Sequence, residues 1–583
     1  MKFSYHSTSS NPKYGQGASG TLIGAAVVGF LLFLVIQVII PLWSSSNTEQ
    51  LTPMLTKDEA IRRAEAAYNS HIFSTVPRFS KSSYSTSIPS SAQLKKGAIY
   101  YTNDLLSGYL SKNELHKAYK RWEQSAPYDV YRVFFDTAAP LQRELVTIDI
   151  HMSTGKVVGY QRMLGGALEA DNSSPTSTRD ELHPDRAYLL AQSDNAVRKL
   201  GYLPDQLVRK SGQLSNEIRY TVKNGQVGDA KLEVVVWWQN GQISQAQSIW
   251  SLPEAYTQLM QEQKSMAETI SSIGYVIMSV IFAGAACIMA LLYRKRIRFR
   301  SRTMLTLAAL SCLISIVHGW NVMPGTIMTD RLEPIGYDRL QMTITIQSLF
   351  LVVQAGIMLY LALVVGRFCW DTSQHKPVVI SWSDADFGTH LVRSFWVGLA
   401  FTGVLLGTQS VIYTGLELGI KAWSATDASS SPLNLSYMFL YPLVAWVAAI
   451  SEEGFYRLFA VGLFRKFLRN TWVAAIIPTF VWAAGHVTYP IYPYYSRPLE
   501  LMIIGFLFVW IMVRYGFWSA VVAHLMLDTI LMVIPYWFDG SWSGIAIGTC
   551  YMLLPIAVVY GIHTLHRYQN KATKMNPPQE PIT

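Results

Sequence analysis

Six side chains in an apolar setting have types and spacings that could do chemistry: Glu452, Glu453, Arg457, His486, His524 and Asp528. The first three lie in AISEEGFYRLFAVGLF (449–464), a helix-forming stretch that is otherwise apolar. An ionisable group inside a bilayer costs at least ~2.5–3.5 kcal/mol on insertion scales, so each needs a reason to be there. Glu453 and Arg457 are i,i+4 and can pair along one helix face, which lowers the cost of burying both. Glu452 lies about 100° around the helix from Glu453 and has no local cation. A buried carboxylate in that position holds a proton readily, as a general base should. His524 and Asp528 in AHLMLDT are again i,i+4, a spacing that suits two metal ligands or a histidine oriented by a carboxylate. His486 in FVWAAGHVTYP proves little alone, since a lone intramembrane histidine is commonly a hydrogen-bonded packing residue.

These residues need membrane spans to carry them, and the composition supplies the material. Half of the 583 residues are hydrophobic, 15% are charged, and there are 17 Trp and 32 Tyr. Gly20–Trp43 is uncharged and exceeds the roughly 20 residues that cross hydrocarbon; with no small-residue cleavage site after it, it reads as an anchor. Further apolar runs at 269–293, 304–322, 342–365, 394–413, 435–464, 472–489, 499–513, 517–535 and 544–562 predict about ten spans. Glu417, Glu500 and Arg514 read as ordinary rim residues. Basic runs at 294–302, at Arg465, Lys466 and Arg469, and at Arg567, Lys571 and Lys574 fall on one side of such a bundle. By the positive-inside rule that side is cytoplasmic, with both termini, in a multi-pass cell-membrane protein. The net charge of +10 is then topological and no nucleic-acid partner is implied.

Between the first two spans lies a polar, strand-rich segment, expected outside the cytoplasm, with an internal repeat. TKDEAIRRAEAA (56–67) parallels HPDRAYLLAQSD (183–194), Ala60 and Ala64 matching Ala187 and Ala191, and each helix start is followed by paired alternating strands. Thr154-Gly155 and Asn240-Gly241 read as the hairpin turns. Two serine-rich linkers, 80–91 and 171–180, separate the units. The helix-then-hairpin pattern resembles the PepSY family of small extracytoplasmic domains, twice over, and such a segment could take a ligand of its own. None of the four cysteines lies in it, so no disulfide framework holds it together.

The expected fold is therefore an α-helical polytopic membrane protein with an extracytoplasmic α+β tandem-repeat domain. Its boundaries run 1–43 for tail and anchor, 44–268 for the tandem domain, 269–393 for the next three spans, 394–565 for the core with the charged cluster, and 566–583 for the tail.

In that core, EEGFYR (452–457) matches the Glu-Glu-x-x-x-Arg motif of the CPBP family, the CAAX prenyl protease 2 (Rce1-type) and Abi intramembrane proteases. WAAGH (482–486) resembles its Phe-x-x-x-His motif, with Trp482 in place of Phe, a change expected to affect packing only. HLMLD (524–528) resembles its His-x-x-x-Asn/Asp motif. The resemblance covers roughly 394–562 and implies hydrolysis of a membrane-associated peptide or protein. It implies that Glu452 and His486 activate water, that His524 and Asp528 stabilise the oxyanion or hold a divalent metal such as zinc, with Glu452 and His486 as further candidate ligands, and that Glu453 with Arg457 braces the site. An ionised Asp528 cannot donate to an oxyanion, so it would be protonated, bind metal or orient His524. Three other readings stay open: a scaffold or immunity protein with the same motifs, a transporter or proton channel, and a sensor whose outer domain receives a signal.

Overall fold

Strand alternation between residues 94 and 251 and apolar helical runs elsewhere give the chain two parts. The architecture comes from a computed structural model that describes residues 17–41, 55–70, 94–138, 143–165, 186–210, 216–239, 241–329, 337–371, 378–429, 431–538 and 541–575. Both serine-rich linkers lie outside the described residues.

The alternating segments form one antiparallel sheet of eight strands: β1 (Leu94–Thr102), β2 (Asp129–Ala138), β3 (Arg143–His151), β4 (Val157–Gly165), β5 (Leu207–Arg209), β6 (Glu217–Val227), β7 (Ala230–Gln239) and β8 (Gln242–Ser251). Their order, β1-β2-β3-β4-β8-β7-β6-β5, joins two four-stranded halves through β4 and β8, where Tyr160 faces Ala246. A helix precedes each half, Lys57–Asn69 and Arg186–Lys199, so the repeat read in the sequence is a repeat of structure. Thr56 caps the first helix, its hydroxyl accepting from the Glu59 amide at 3.2 Å. Gly155 and Gly241 take the positive φ their turns require, 70° and 72°; Asn240 lies outside the described residues. Strand β1 was not foreseen.

The proposed register between the two repeat helices fails. Ala60 and Ala64 are fully buried against Tyr131, Val133 and Val146, but Ala187 and Ala191 are exposed. The second helix instead buries Ser193, Ala196 and Val197. The Trp238 indole donates to Ser193 Oγ at 3.0 Å, which turns the serine side inward.

Elsewhere the chain is helical. Among the described residues eight helices are long and apolar enough to cross a membrane: Gly20–Ile39, Glu254–Leu292, Arg302–Ile327, Gln341–Asp371, Phe387–Ile420, Ser496–Tyr515, Phe517–Trp537 and Trp542–Lys571. The protein is thus a multi-pass membrane protein. Two of the ten expected spans fall short, for reasons that concern the site. The 435–464 run is a composite of a 3₁₀ turn at Met438–Leu443, an α-helix at Val444–Glu452 and a π-helical stretch at Glu453–Val461. The 472–489 run is helical only over Thr471–Ala484, ending before His486.

The first helix packs on Phe387–Ile420 through glycines. A Cβ on Gly407 would lie 2.4 Å from Gly29 Cα, and one on Gly403 2.5 Å from Ala26 O, so only bare backbones fit this small-xxx-small crossing. Glu500 is not a rim residue. It is fully buried, accepting from Gln409 Nε2 at 2.8 Å and pairing with Arg497 Nη1 at 2.6 Å. Its depth is set by neighbours on another helix, which hydropathy does not report. All four cysteines are free.

The sheet is fastened to the helical part. Buried Asn434 accepts from the Tyr100 amide of β1 at 2.7 Å and donates to the carbonyls of Tyr100 and Ala428 at 2.8 and 2.9 Å. The Thr426 amide donates to Ser107 Oγ at 2.9 Å. A two-residue strand at Trp423–Ser424 pairs with Ile491–Tyr492, in the segment that follows His486.

Candidate active site

Three helical segments converge: the glutamate helix (Val444–Glu452 and its π-helical continuation), the tryptophan helix (Thr471–Ala484) and the histidine helix (Phe517–Trp537). The change from α to π winding falls at Glu452/Glu453, and single-turn π distortions concentrate at functional sites. The three strands of motif reading thus meet where the glutamate helix departs from regular geometry.

His524 is the hub. Its Nδ1 lies 2.8 Å from Glu453 Oε1, and because an ionised carboxylate only accepts, Nδ1 carries the hydrogen. Its Nε2 faces Asp528 Oδ2 at 3.4 Å and Glu452 Oε2 at 3.8 Å. The ring is held flat against Phe508, with centroids 4.7 Å apart. Glu452 and Asp528 keep 23% of their side-chain surface, whereas Glu453 has none. Two carboxylates therefore keep accessible surface and one has none.

Glu453 Oε1 also lies 3.2 Å from Arg457 Nη1, as the i,i+4 spacing predicts. No aligned hydrogen bond reaches the Arg457 nitrogens among the described residues. The guanidinium instead lies over the Trp482 ring at 3.8 Å and near Phe508 at 5.3 Å, so charge and ring stacking hold it.

Trp482 does more than pack, contrary to the expectation from its place in the motif. Its Nε1 donates to Glu452 Oε2, its face carries Arg457, and its edge contacts the rings of His524 and His486. A buried indole N–H needs an acceptor, and that need was the available signal. Phe508 left no such signal, being one apolar residue in an apolar helix. His486 sits just past the tryptophan helix, with Nδ1 3.0 Å from the Trp482 carbonyl and its ring against Tyr489 at 5.4 Å. It reaches the cluster through Trp482 and not through a carboxylate.

The donor set bears on a metal. Among the described residues no group of three His, Cys, Asp or Glu side chains is arranged to hold an ion. His524 commits Nδ1 to Glu453, and His486 has its Nδ1 against the Trp482 carbonyl. The four candidate ligands do not fit a metal as they stand, and no step below is routed through one.

Residues 434–530, which span all three motifs, match the family described as type II CAAX prenyl endopeptidase Rce1-like. The sporulation-killing factor biosynthesis protein SkfC of Bacillus subtilis (strain 168) is 25% identical over 174 residues, 30% of this chain and 32% of that protein. The chain thus spans about a third of the length of that relative. No solved structure matches. The likeness to Rce1-like proteins is thus carried by the membrane core that holds the three motifs.

Proposed function

We propose that the chain is an intramembrane endopeptidase that hydrolyses peptide bonds of membrane-associated peptides or proteins. The observation that carries this reading is the position of Glu452. It stays partly open, as Asp528 does, but it is the one oriented by the Trp482 indole, and it faces the Nε2 edge of a histidine whose other nitrogen is fixed by Glu453. The family that residues 434–530 match is one of proteases.

In the proposed reaction Glu452 takes a proton from water as the water oxygen attacks the scissile carbonyl carbon. The carbonyl π electrons move to oxygen, and His524, as an imidazolium with a proton on each ring nitrogen between Glu453 and Asp528, donates to that oxyanion from Nε2. Collapse re-forms the carbonyl and breaks the C–N bond, and the proton taken by Glu452 passes to the leaving amine. Asp528 orients His524. His486, at the mouth of the site, positions water or substrate through its free ring edge. Arg457 balances the charge of Glu453. Such general-base and preorganised electrostatic contributions are the ones amide hydrolysis needs.

The topology belongs to the same proposal: both termini and the loop at Arg294–Arg302 cytoplasmic, and the eight-stranded sheet outside. The reading is tested by comparing the membrane proteomes of a wild-type strain and a Glu452→Gln strain. It expects membrane-associated peptides that are cut in the first and intact in the second. Identical peptide profiles would contradict it.

A further inference from the structure

A cavity of about 640 Å³ lies between the sheet and the mouth of the site, within the size range of ligand pockets. Its floor is Val487–Pro490, the residues that directly follow His486, and Tyr489 both lines it and packs on the His486 ring at 5.4 Å. Its roof is one face of the sheet. Arg132 faces Ile99 and Asp149 across the strands, and Gln161 faces Thr147, so these residues share a face. The opposite face carries Tyr100, Tyr131 and Val133, which pack under the helix Lys57–Asn69. One sheet face is thus spent on a core, and the other turns polar side chains to the cavity.

Roof and floor are fixed to each other by the Asn434 and Ser107 hydrogen bonds and by the short strand pair at Ile491–Tyr492, so the cavity is preformed. Its charged lining is Asp104, Glu268 and Asp427 against Arg132 and Lys264. Both cations are taken up in ion pairs. Arg132 donates twice to Asp149, at 2.8 Å each, and Lys264 donates to Asp104 at 2.7 Å. The lining keeps a net negative charge, with Glu268 exposed on its helix.

We propose that this cavity binds the polar flank of a membrane-inserted polypeptide, with a preference for flanks that carry lysine or arginine. It would hold the segment just outside the bilayer while the adjoining chain reaches Glu452. The assignment of that polypeptide as substrate rests on the hydrolase reading above. The sheet then acts in substrate selection, which explains why it is docked over the residues that follow His486.

The test uses the full chain carrying Glu452→Gln, reconstituted in phosphatidylcholine vesicles. The probe is a fluorescent synthetic peptide with one leucine/alanine span and either a lysine-rich or a glutamate-rich flank. Exposed charge pairs are individually weak, so the lysine-rich flank should bind about five- to tenfold tighter. Glu268→Lys, a change on an exposed helix surface, should erase the preference. Gln161→Trp, which suits a strand and fills the cavity, should weaken the lysine-rich peptide by a similar factor. Equal binding of the two flanks would overturn the proposal, as would both variants folding like the parent and leaving the preference intact. Binding is read without turnover, so the two readings fail separately. Glu452-dependent cleavage without flank preference removes only the cavity's role, and flank preference without such cleavage removes only the hydrolase.

Discussion

Removing the charge of Glu453 alone should damage the protein more than removing Glu453 and Arg457 together. Glu453 has no exposed side-chain surface and Arg457 has 1%, and they lie 3.2 Å apart. At that separation and an effective dielectric of ~20, their attraction is about 5 kcal/mol, set against the cost of taking both from water. Glu453→Gln leaves a buried guanidinium with only ring faces for partners and removes the carboxylate that accepts from His524 Nδ1. Breaking a buried pair in this way costs roughly 3–5 kcal/mol. Glu453→Leu with Arg457→Met replaces the pair by apolar groups, which is often neutral in stability. Thermal unfolding in detergent of the parent, Glu453→Leu, Arg457→Met and the double variant, followed by tryptophan fluorescence, completes the double-mutant cycle, with Glu453→Gln measured beside them. The double variant should regain most of the loss in stability and still be inactive, because His524 has lost its orienting partner. A single Glu453→Gln variant that loses less than about 1 kcal/mol, or a double variant whose loss is the sum of the singles, would refute the reasoning.

Three further outcomes are expected. Asn434→Ala removes three hydrogen bonds between β1, the 428 carbonyl and the helical part, about 1 kcal/mol each; hydrogen exchange at the Tyr100 amide should quicken while the helical core keeps its protection. Gly407→Val forces the first helix off Phe387–Ile420 and should lower the melting temperature in detergent by several degrees, whereas an unchanged melt would contradict the close backbone crossing. A reporter fused after Arg302 should be cytoplasmic and one near Asn172 external; a cytoplasmic result at Asn172 would overturn the charge-based orientation.

Much of the site was legible because its geometry is local. The i,i+4 spacings of Glu453 with Arg457 and His524 with Asp528 fix which side chains share a helix face, and both pairs are in contact. The repeat was legible for a similar reason, since strand alternation and hairpin glycines are short-range signals. What escaped depends on packing between elements. Glu500 looked peripheral because its burial comes from Gln409 and Arg497, the first on a different helix. The second repeat helix is rotated by a bond from Trp238, 45 residues away. Trp482 was read by size, whereas its N–H and its ring face tie Glu452 to Arg457. His486 was placed in a span, and the helix stops at Ala484, two residues short of it, with Gly485 at the C-cap position.

The central claim is that Glu452 acts as a base on water. Turnover of a substrate identified from the proteome comparison, measured with purified wild type and Glu452→Gln in detergent beside their thermal melts, tests it most directly. The amide keeps the size of the side chain and an oxygen that accepts from Trp482, and it is cheaper to bury than a carboxylate, so the variant should melt like the parent. Its turnover should fall by ~10²–10⁴, the usual contribution of a general base. A Glu452→Gln protein that retains activity, or whose lost activity follows lost stability, would contradict the account.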